Sequence, residues 1–426
     1  MKTLFATLLI LALSLPSAWA QTPATDDTEL SPVQLLALRR DLQARRERIS
    51  DKAIAYLWDT RLNTETGTIG KVQPRYLQAL AILALAADGK LEDPVYADRL
   101  ALVAGDMAQP LSRIELGSAP RKLFVGTSND VLAFETHAVV ALAYQQLAIS
   151  RRIDAEQSER LQLGVAGAIE YMLDYRKRGR TYDTAGGWPV NSMAYNRNRP
   201  DRRCTAWQLL LLKTHSYVGA DVDTTAMTEA PNFILAAQRQ APEMDAELQV
   251  AKDAYDEWLP AMRSGKAIPK DARDAMNRWL EYERKREESG GFGIDTIGIV
   301  TPSATAVGLW TLGMFEPDAK ERYASAATAY QRMPMSWDAQ RFFMTQFYAT
   351  RGLHLYTERY GVPDYWVYLN RLVTLMEQQQ SADGSFPLGS RGVEELTQME
   401  KVYTTAMCVL ILNADRGTLL FDQPPY

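Results

Sequence analysis

Residues 369–380 read LNRLVTLMEQQQ, with Asp383-Gly384-Ser385-Phe386 just beyond them, and from Tyr403-Thr404-Thr405-Ala406-Met407 the chain runs on to Leu412 almost without a polar residue. The first stretch spaces its apolar residues as one stripe of a helix. The glycine with its aromatic neighbour reads as a turn, and the last stretch is a helix that is apolar nearly all round. The same order recurs upstream. Ala168 to Arg176 (AIEYMLDYR) precedes Gly186-Gly187-Trp188, and Thr205-Ala206-Trp207-Gln208 then runs into four leucines. Ala230 to Gln238 precedes, after an insertion, Gly290-Gly291-Phe292 and the apolar run from Ser303 to Trp310. Asp51 to Trp58, Gly67-Thr68-Ile69-Gly70 and Leu77 to Leu85 form a weaker first copy. Asp130 to Leu147 holds a second apolar helix, and Ala324 to Tyr356 a fifth unit with a degraded turn. A unit of about 50 residues therefore repeats six times as a helix pair.

Two helix populations imply two layers. Helices such as Thr405 to Leu412 must be buried on most faces, whereas Ser158 to Arg176, with one apolar stripe and a charged face, belongs outside. No pair can bury itself alone, so neighbours have to stack. The expected fold is all-α: an (α/α)6 toroid of six inner and six outer helices, with an open α-solenoid as the competing architecture. The helices apolar all round favour closure, because a solenoid leaves one layer wet. Extended alternating runs bounded by turn signals, the mark of a sheet, are almost absent. Between the helices of the fourth pair, Pro242 to Glu288 carries 12 acidic and 9 basic residues. That density marks a solvated insertion, read as a helical hairpin turning near Gly265 and fastened by Trp258 and Trp279.

The whole chain has 426 residues, 46% of them hydrophobic and 23% charged, with a net charge of −5. This is a globular composition, and its mild acidity provides no basic face for nucleic acid. Lys2, the apolar run Leu4 to Leu15 and Ala18-Trp19-Ala20 have the form of a secretory signal peptide, too short to span a membrane. The expected organisation is a signal peptide over 1–20, a polar leader and first helix over 21–45, and the repeat domain over 46–426 with its insertion at 242–288. The mature chain is expected in the periplasm or secreted, with no later transmembrane segment. The two cysteines, Cys204 and Cys408, are too few for a disulfide scaffold or a four-thiolate zinc site.

Glycine turns that end in an aromatic residue after a glutamine-bearing helix, as from Gln378-Gln379-Gln380 to Phe386, resemble the repeats of squalene–hopene-type cyclases and protein prenyltransferase β subunits. The chain is also similar to secreted bacterial proteins with squalene-cyclase-type repeats. The matching stretches are Glu135-Thr136-His137-Ala138, Gly186 to Leu212, Gly290 to Leu312 and Gln378 to Leu412. The resemblance implies the terpenoid cyclase-like α/α toroid.

The residues that carry chemistry in such families have no counterpart here. The cyclases protonate an alkene with an Asp-x-Asp-Asp motif, whereas the nearest string, Asp221-Val222-Asp223, follows an inner helix at the wrong end. The prenyltransferases hold zinc with Asp, Cys and His; Asp201-Arg202-Arg203-Cys204 has two such residue types, at the wrong spacing and with two arginines between them. The thioester sequence Gly-Cys-Gly-Glu-Gln of complement-type toroids is absent. No metal or cofactor is expected. What remains is a set of polar residues at the starts of the inner helices: Arg75 and Tyr76, Glu135 and His137, Asp201 and Arg203, Thr301 and Ser303, Arg341 and Gln346, Glu400, Lys401 and Tyr403. Glu135, His137, Asp201, Arg203 and Tyr403 are the candidate site residues. Asp201, Thr301 and Ser303 read first as helix caps, and His137 by default as a satisfied core histidine. Two functions follow from the pattern. One is a non-catalytic binding or scaffold protein for an apolar ligand or a protein partner. The other is an extracytoplasmic enzyme, either terpenoid cyclase-like or a polysaccharide lyase or hydrolase.

Overall fold

The structure is a computed structural model and describes residues 30–59, 75–111, 122–125, 133–178, 186–190, 200–294, 299–339, 341–388 and 398–422. The stretch read as a signal peptide, the stretch Gly67 to Gly70 read as a turn, and Asp130 lie outside the described residues. Among the described residues there are fourteen α-helices and no strand, so the chain is all-α. They are α1 (Pro32–Trp58), α2 (Arg75–Ala87), α3 (Ala97–Ala108), α4 (Ala133–Ala148), α5 (Ala155–Arg178), α6 (Arg202–Tyr217) and α7 (Thr224–Leu235). The second half has α8 (Ala246–Arg263), α9 (Lys270–Glu287), α10 (Pro302–Phe315), α11 (Lys320–Gln331), α12 (Phe342–Tyr360), α13 (Asp364–Gln379) and α14 (Gln398–Leu412). No described helix is long and apolar enough to cross a membrane.

Burial sorts the helices as their polarity demands. Every residue of α4 is buried, as is every residue of α2 from Leu77 and of α10 from Ala304 to Met314. In α13 the buried residues are Tyr365, Trp366, Tyr368, Leu369, Leu372, Val373 and Met376, one stripe of a helix whose other faces meet water. The deeply buried helices contact one another in chain order, α2 with α4, α4 with α6, α6 with α10, α10 with α12 and α12 with α14, and α14 packs back on α2. The half-buried helices lie against them: α5 on α4, α7 on α6 and α10, α11 on α10, α13 on α12, and α1 on both α13 and α14. Helix α1 runs unbroken through residue 45, although its first turns are largely exposed.

The repeated turn shows why its residues recur. Gly290 and Gly384 take φ of +83° and +86°, left-handed values that glycine alone reaches without a Cβ penalty. Each also lies against the next outer helix: a Cβ would come 2.3 Å from the Ser325 carbonyl at Gly290, and 2.2 Å from the Lys52 carbonyl at Gly384. The aromatic residue two positions on is buried, and its N–H donates to a threonine of the following inner helix. Trp188 reaches Thr205 Oγ1 at 2.9 Å, Phe292 reaches Thr305 Oγ1 at 3.0 Å and Phe386 reaches Thr405 Oγ1 at 3.1 Å. The preceding glutamine stitches the turn to the next outer helix. Gln238 Nε2 donates to the Arg322 carbonyl at 2.9 Å, and Gln380 Nε2 to the Ile49 carbonyl at 3.0 Å. These bonds satisfy buried backbone groups that a tight turn would otherwise leave orphaned. The turn after α13 thus fastens onto α1.

Aromatic side chains fill the space among the buried helices. Trp207 stacks on Phe347 at 4.8 Å between centroids, Tyr348 tilts against Trp310 at 5.4 Å, and Phe421 lies 6.1 Å from Phe347. Beside them Arg351 holds Asp422 through Nε at 2.6 Å and Nη2 at 3.2 Å, with its guanidinium 3.9 Å over the Phe347 ring. The insertion forms the expected hairpin. Helices α8 and α9 pack on each other around a small core of Ala251, Ala275, Trp279 and Tyr282, and Gly265 turns between them at φ +68°. Trp279 stacks on Tyr282, whereas Trp258 is half-buried.

Candidate functional site

Helix α6 begins with Asp201, whose Oδ1 accepts the N–H groups of Arg203 at 2.9 Å and Cys204 at 3.0 Å. The residue is therefore a helix cap. Its second oxygen pairs with Arg203 Nη2 at 2.8 Å. Burial works to raise the Asp201 carboxyl, but the Arg203 charge and these bonds outweigh it and hold the group below its ordinary range. Burial also works against the Arg203 charge, and Asp201 and Glu135 override it in favour of the guanidinium.

Glu135, in the first turn of α4, is the electrostatic centre of this end of the molecule. It is 8% exposed, and Tyr76 at the start of α2 donates its hydroxyl to Oε1 at 3.0 Å. The Tyr76 ring stacks 6.3 Å from Tyr403 of α14, which meets Phe343 of α12 edge-on at 6.0 Å. Burial and then the Glu135 charge keep the Tyr403 phenol protonated, and the same two causes act on Tyr348. Arg341, just before α12, feels Arg203 as a like charge and Asp201 and Glu135 as opposite ones; burial, then Arg203, lowers it from its usual value. Four of the five candidates, Glu135, Asp201, Arg203 and Tyr403, therefore share one electrostatic neighbourhood built from the starts of α4, α6 and α14, with Tyr76 and Arg341 added from α2 and α12.

His137 faces the other way. It is fully buried, its Nδ1 accepts the Val125 N–H at 3.2 Å, and Nε2 lies 3.0 Å from the Ala168 carbonyl of α5. An accepting Nδ1 puts the proton on Nε2, which makes that second contact a donated bond. Phe124 stacks on the ring at 5.1 Å. Burial lowers its pKa to about 4, with the Ala168 bond opposing, so the imidazole is neutral. Positions i and i+2 on a helix do not share a face, which sets Glu135 and His137 on different walls.

The remaining polar residues divide between caps and a cavity. Thr301 caps α10, accepting the Ala304 N–H at 3.3 Å. Ser303, Arg341 and Gln346 line a cavity of about 310 Å³ together with Met333, Met335, Phe342 and Arg371. Gln346 belongs to a buried cluster in its wall, where Tyr368 donates to its Oε1 and Tyr330 lies 3.1 Å from the Tyr368 hydroxyl. Tyr330, Tyr368 and Arg371 belong to outer helices and escape a search confined to inner-helix starts. The signal that was available is the continuation of the buried stripe of α13 through Tyr368. Arg75, Glu400 and Lys401 are half-buried at the rim. At the opposite end of α6, Asp223 caps α7 by accepting the Ala226 N–H at 3.0 Å, and Asp221 is exposed.

Cys204 is buried and donates to the Pro189 carbonyl at 3.0 Å; burial first, then Asp201 and Glu135, push its thiol well above the ordinary range. A metal needs the thiolate. Among the described residues no three metal-ligating side chains converge. Compared with protein-family models and with curated proteins, the chain matches none.

Proposed function

We propose that the chain is an extracytoplasmic (α/α)6 toroid of the terpenoid cyclase-like kind. In this reading it acts as a non-catalytic binding or scaffold protein whose working surface is the end where Tyr76, Glu135, Arg203, Arg341 and Tyr403 meet. The circle of contacts from α2 through α14 and back to α2 supports the toroid. The form of residues 2–20 supports the compartment. The observation that carries the non-catalytic reading is the commitment of the acid–base groups to structural bonds. Asp201 is a cap paired with Arg203, His137 has both nitrogens engaged in the wall, and the Cys204 thiol is held neutral. A general acid or base must be free to exchange a proton with a substrate, and groups so occupied are not. What the surface offers a ligand is aromatic faces and guanidinium groups.

The test is direct. Purified mature protein is incubated with squalene and, separately, with acidic and neutral polysaccharides, and products are sought by chromatography. The expected result is no product above a buffer blank. A product whose formation Glu135→Gln or Tyr403→Phe abolishes would overturn this reading in favour of the enzyme alternative, which rests on the convergence of Glu135, Arg203 and Tyr403.

A further inference from the structure

The cavity of about 310 Å³ beside Arg341 has two kinds of wall. Ile294, Met333, Met335 and Phe342 give it an apolar side, and the charged groups among its described lining are two guanidiniums, Arg341 and Arg371. Among the described residues no carboxylate lines it. Neither guanidinium makes an ion pair or hydrogen bond with a described residue. Elsewhere this molecule treats its less exposed arginines differently. Arg46 is paired with Asp415, Arg176 with Glu229, Arg203 with Asp201 and Arg351 with Asp422. Arg341 feels Asp201 and Glu135 as opposite charges, but neither lines the cavity, and an anion held there would meet the two guanidiniums.

The backbone supplies an independent observation. Arg341, at φ +66°, is the one non-glycine residue at positive φ among the described residues. A side chain with a Cβ is strained there relative to glycine, and such strain concentrates at ligand sites. The strained residue is one of the two arginines that line the cavity.

We propose that this cavity binds a small amphipathic oxyanion. Its carboxylate or phosphate group is held between Arg341 and Arg371 within reach of the Ser303 hydroxyl, and its apolar body lies against Met333, Met335 and Phe342. The volume falls in the range of small-molecule sites, and a planar guanidinium matches the paired oxygens of a carboxylate or phosphate. The proposal rests on the reading of this end of the molecule as a binding surface, and it adds the chemistry of the ligand.

The experiment is calorimetric titration of the mature protein with 1-naphthylacetate, 1-naphthyl phosphate and the neutral isostere 1-naphthylacetamide. At least one anion is expected to bind, and to bind about 10-fold or more tighter than the amide, with an affinity that falls as salt is added. Which anion binds tells a carboxylate ligand from a phosphate one. Arg371→Gln, on the exposed face of α13, should weaken anion binding about 10-fold and leave the amide unchanged. Arg341→Gln should do the same. If the amide binds as well as the anions, or if both variants keep the anion affinity, the oxyanion proposal falls while the binding surface stands. If none of the three probes binds, both fall.

Discussion

Acid should destabilise this protein through His137, and the size of the effect can be worked out from its surroundings. The imidazole accepts the Val125 N–H at Nδ1 and lies at hydrogen-bond distance from the Ala168 carbonyl at Nε2, with Phe124 stacked on its face. A second proton would turn the Nδ1 contact into two opposed donors and place a cation among aromatic rings, so burial brings the folded pKa down to about 4. In the unfolded chain the group titrates near about 6.5. Between these values the unfolded state takes up a proton that the native state refuses. Stability therefore falls as pH falls through this window, and the penalty is essentially absent above it. The difference amounts to about 2 kcal/mol between pH 7 and pH 5 and about 3 kcal/mol by pH 4. The wild-type curve alone would not reveal it. Burial pushes the Asp422 carboxyl up to about 6 in spite of its pairing with Arg351, so the native state gains that proton first, with the opposite sign over nearly the same range. His215 and His354 are also lowered by burial and add slopes of their own. The measurement is thus a difference: urea unfolding of wild type and His137→Gln from pH 7.5 to 4.5. The variant should be destabilised at pH 7, and the gap should shrink by about 2 kcal/mol at pH 5. A gap that does not change with pH, or an imidazole NMR resonance titrating near pH 6.5, would refute the reasoning.

Three further outcomes follow from the same contacts. Gly384→Ala must hold φ +86° and set a Cβ against the Lys52 carbonyl, and should lose about 2–4 kcal/mol in urea unfolding; Gly265→Ala, at φ +68° with nothing within 4 Å, should lose about 1 kcal/mol. Equal losses would mean that the turn does not press on α1. Arg351→Met leaves Asp422 buried without its partner and should cost about 3–5 kcal/mol, while Arg351→Met with Asp422→Leu should recover much of that; a double variant no better than the single one would show that the pair is not the issue. Cys204 and Cys408 are buried free thiols, so a thiol reagent such as dithionitrobenzoate should react with neither in the native protein and with both in guanidinium, and fast native reaction would place one of them at the surface.

Much of this molecule is legible in the order of its residues because the deciding interactions are local. Whether a helix is buried all round or on one stripe follows from its own side chains, as in α10 against α13. A positive φ at Gly290 or Gly384, and the caps at Asp201 and Thr301, depend on residues only a few positions away. The charged hairpin of α8 and α9 was likewise visible from composition and one glycine. Other features were settled between segments far apart in the chain. Gly384 presses on Lys52, Gln380 reaches Ile49 and Arg351 holds the C-terminal Asp422, and no local pattern names those partners. The candidate site divides along the same line. That polar residues gather at inner-helix starts was readable, but not which of them would face one another. Glu135 and His137 stand about 200° apart on one helix. Glu135 turned to the Tyr76 hydroxyl of α2 and His137 to the Ala168 carbonyl of α5 because those helices happen to flank α4 on those sides. Arg371 became part of a cavity only because α13 packs on α12 beside Arg341. Periodicity decides how much of a helix is buried; only the neighbours it is packed against decide what each buried polar atom meets.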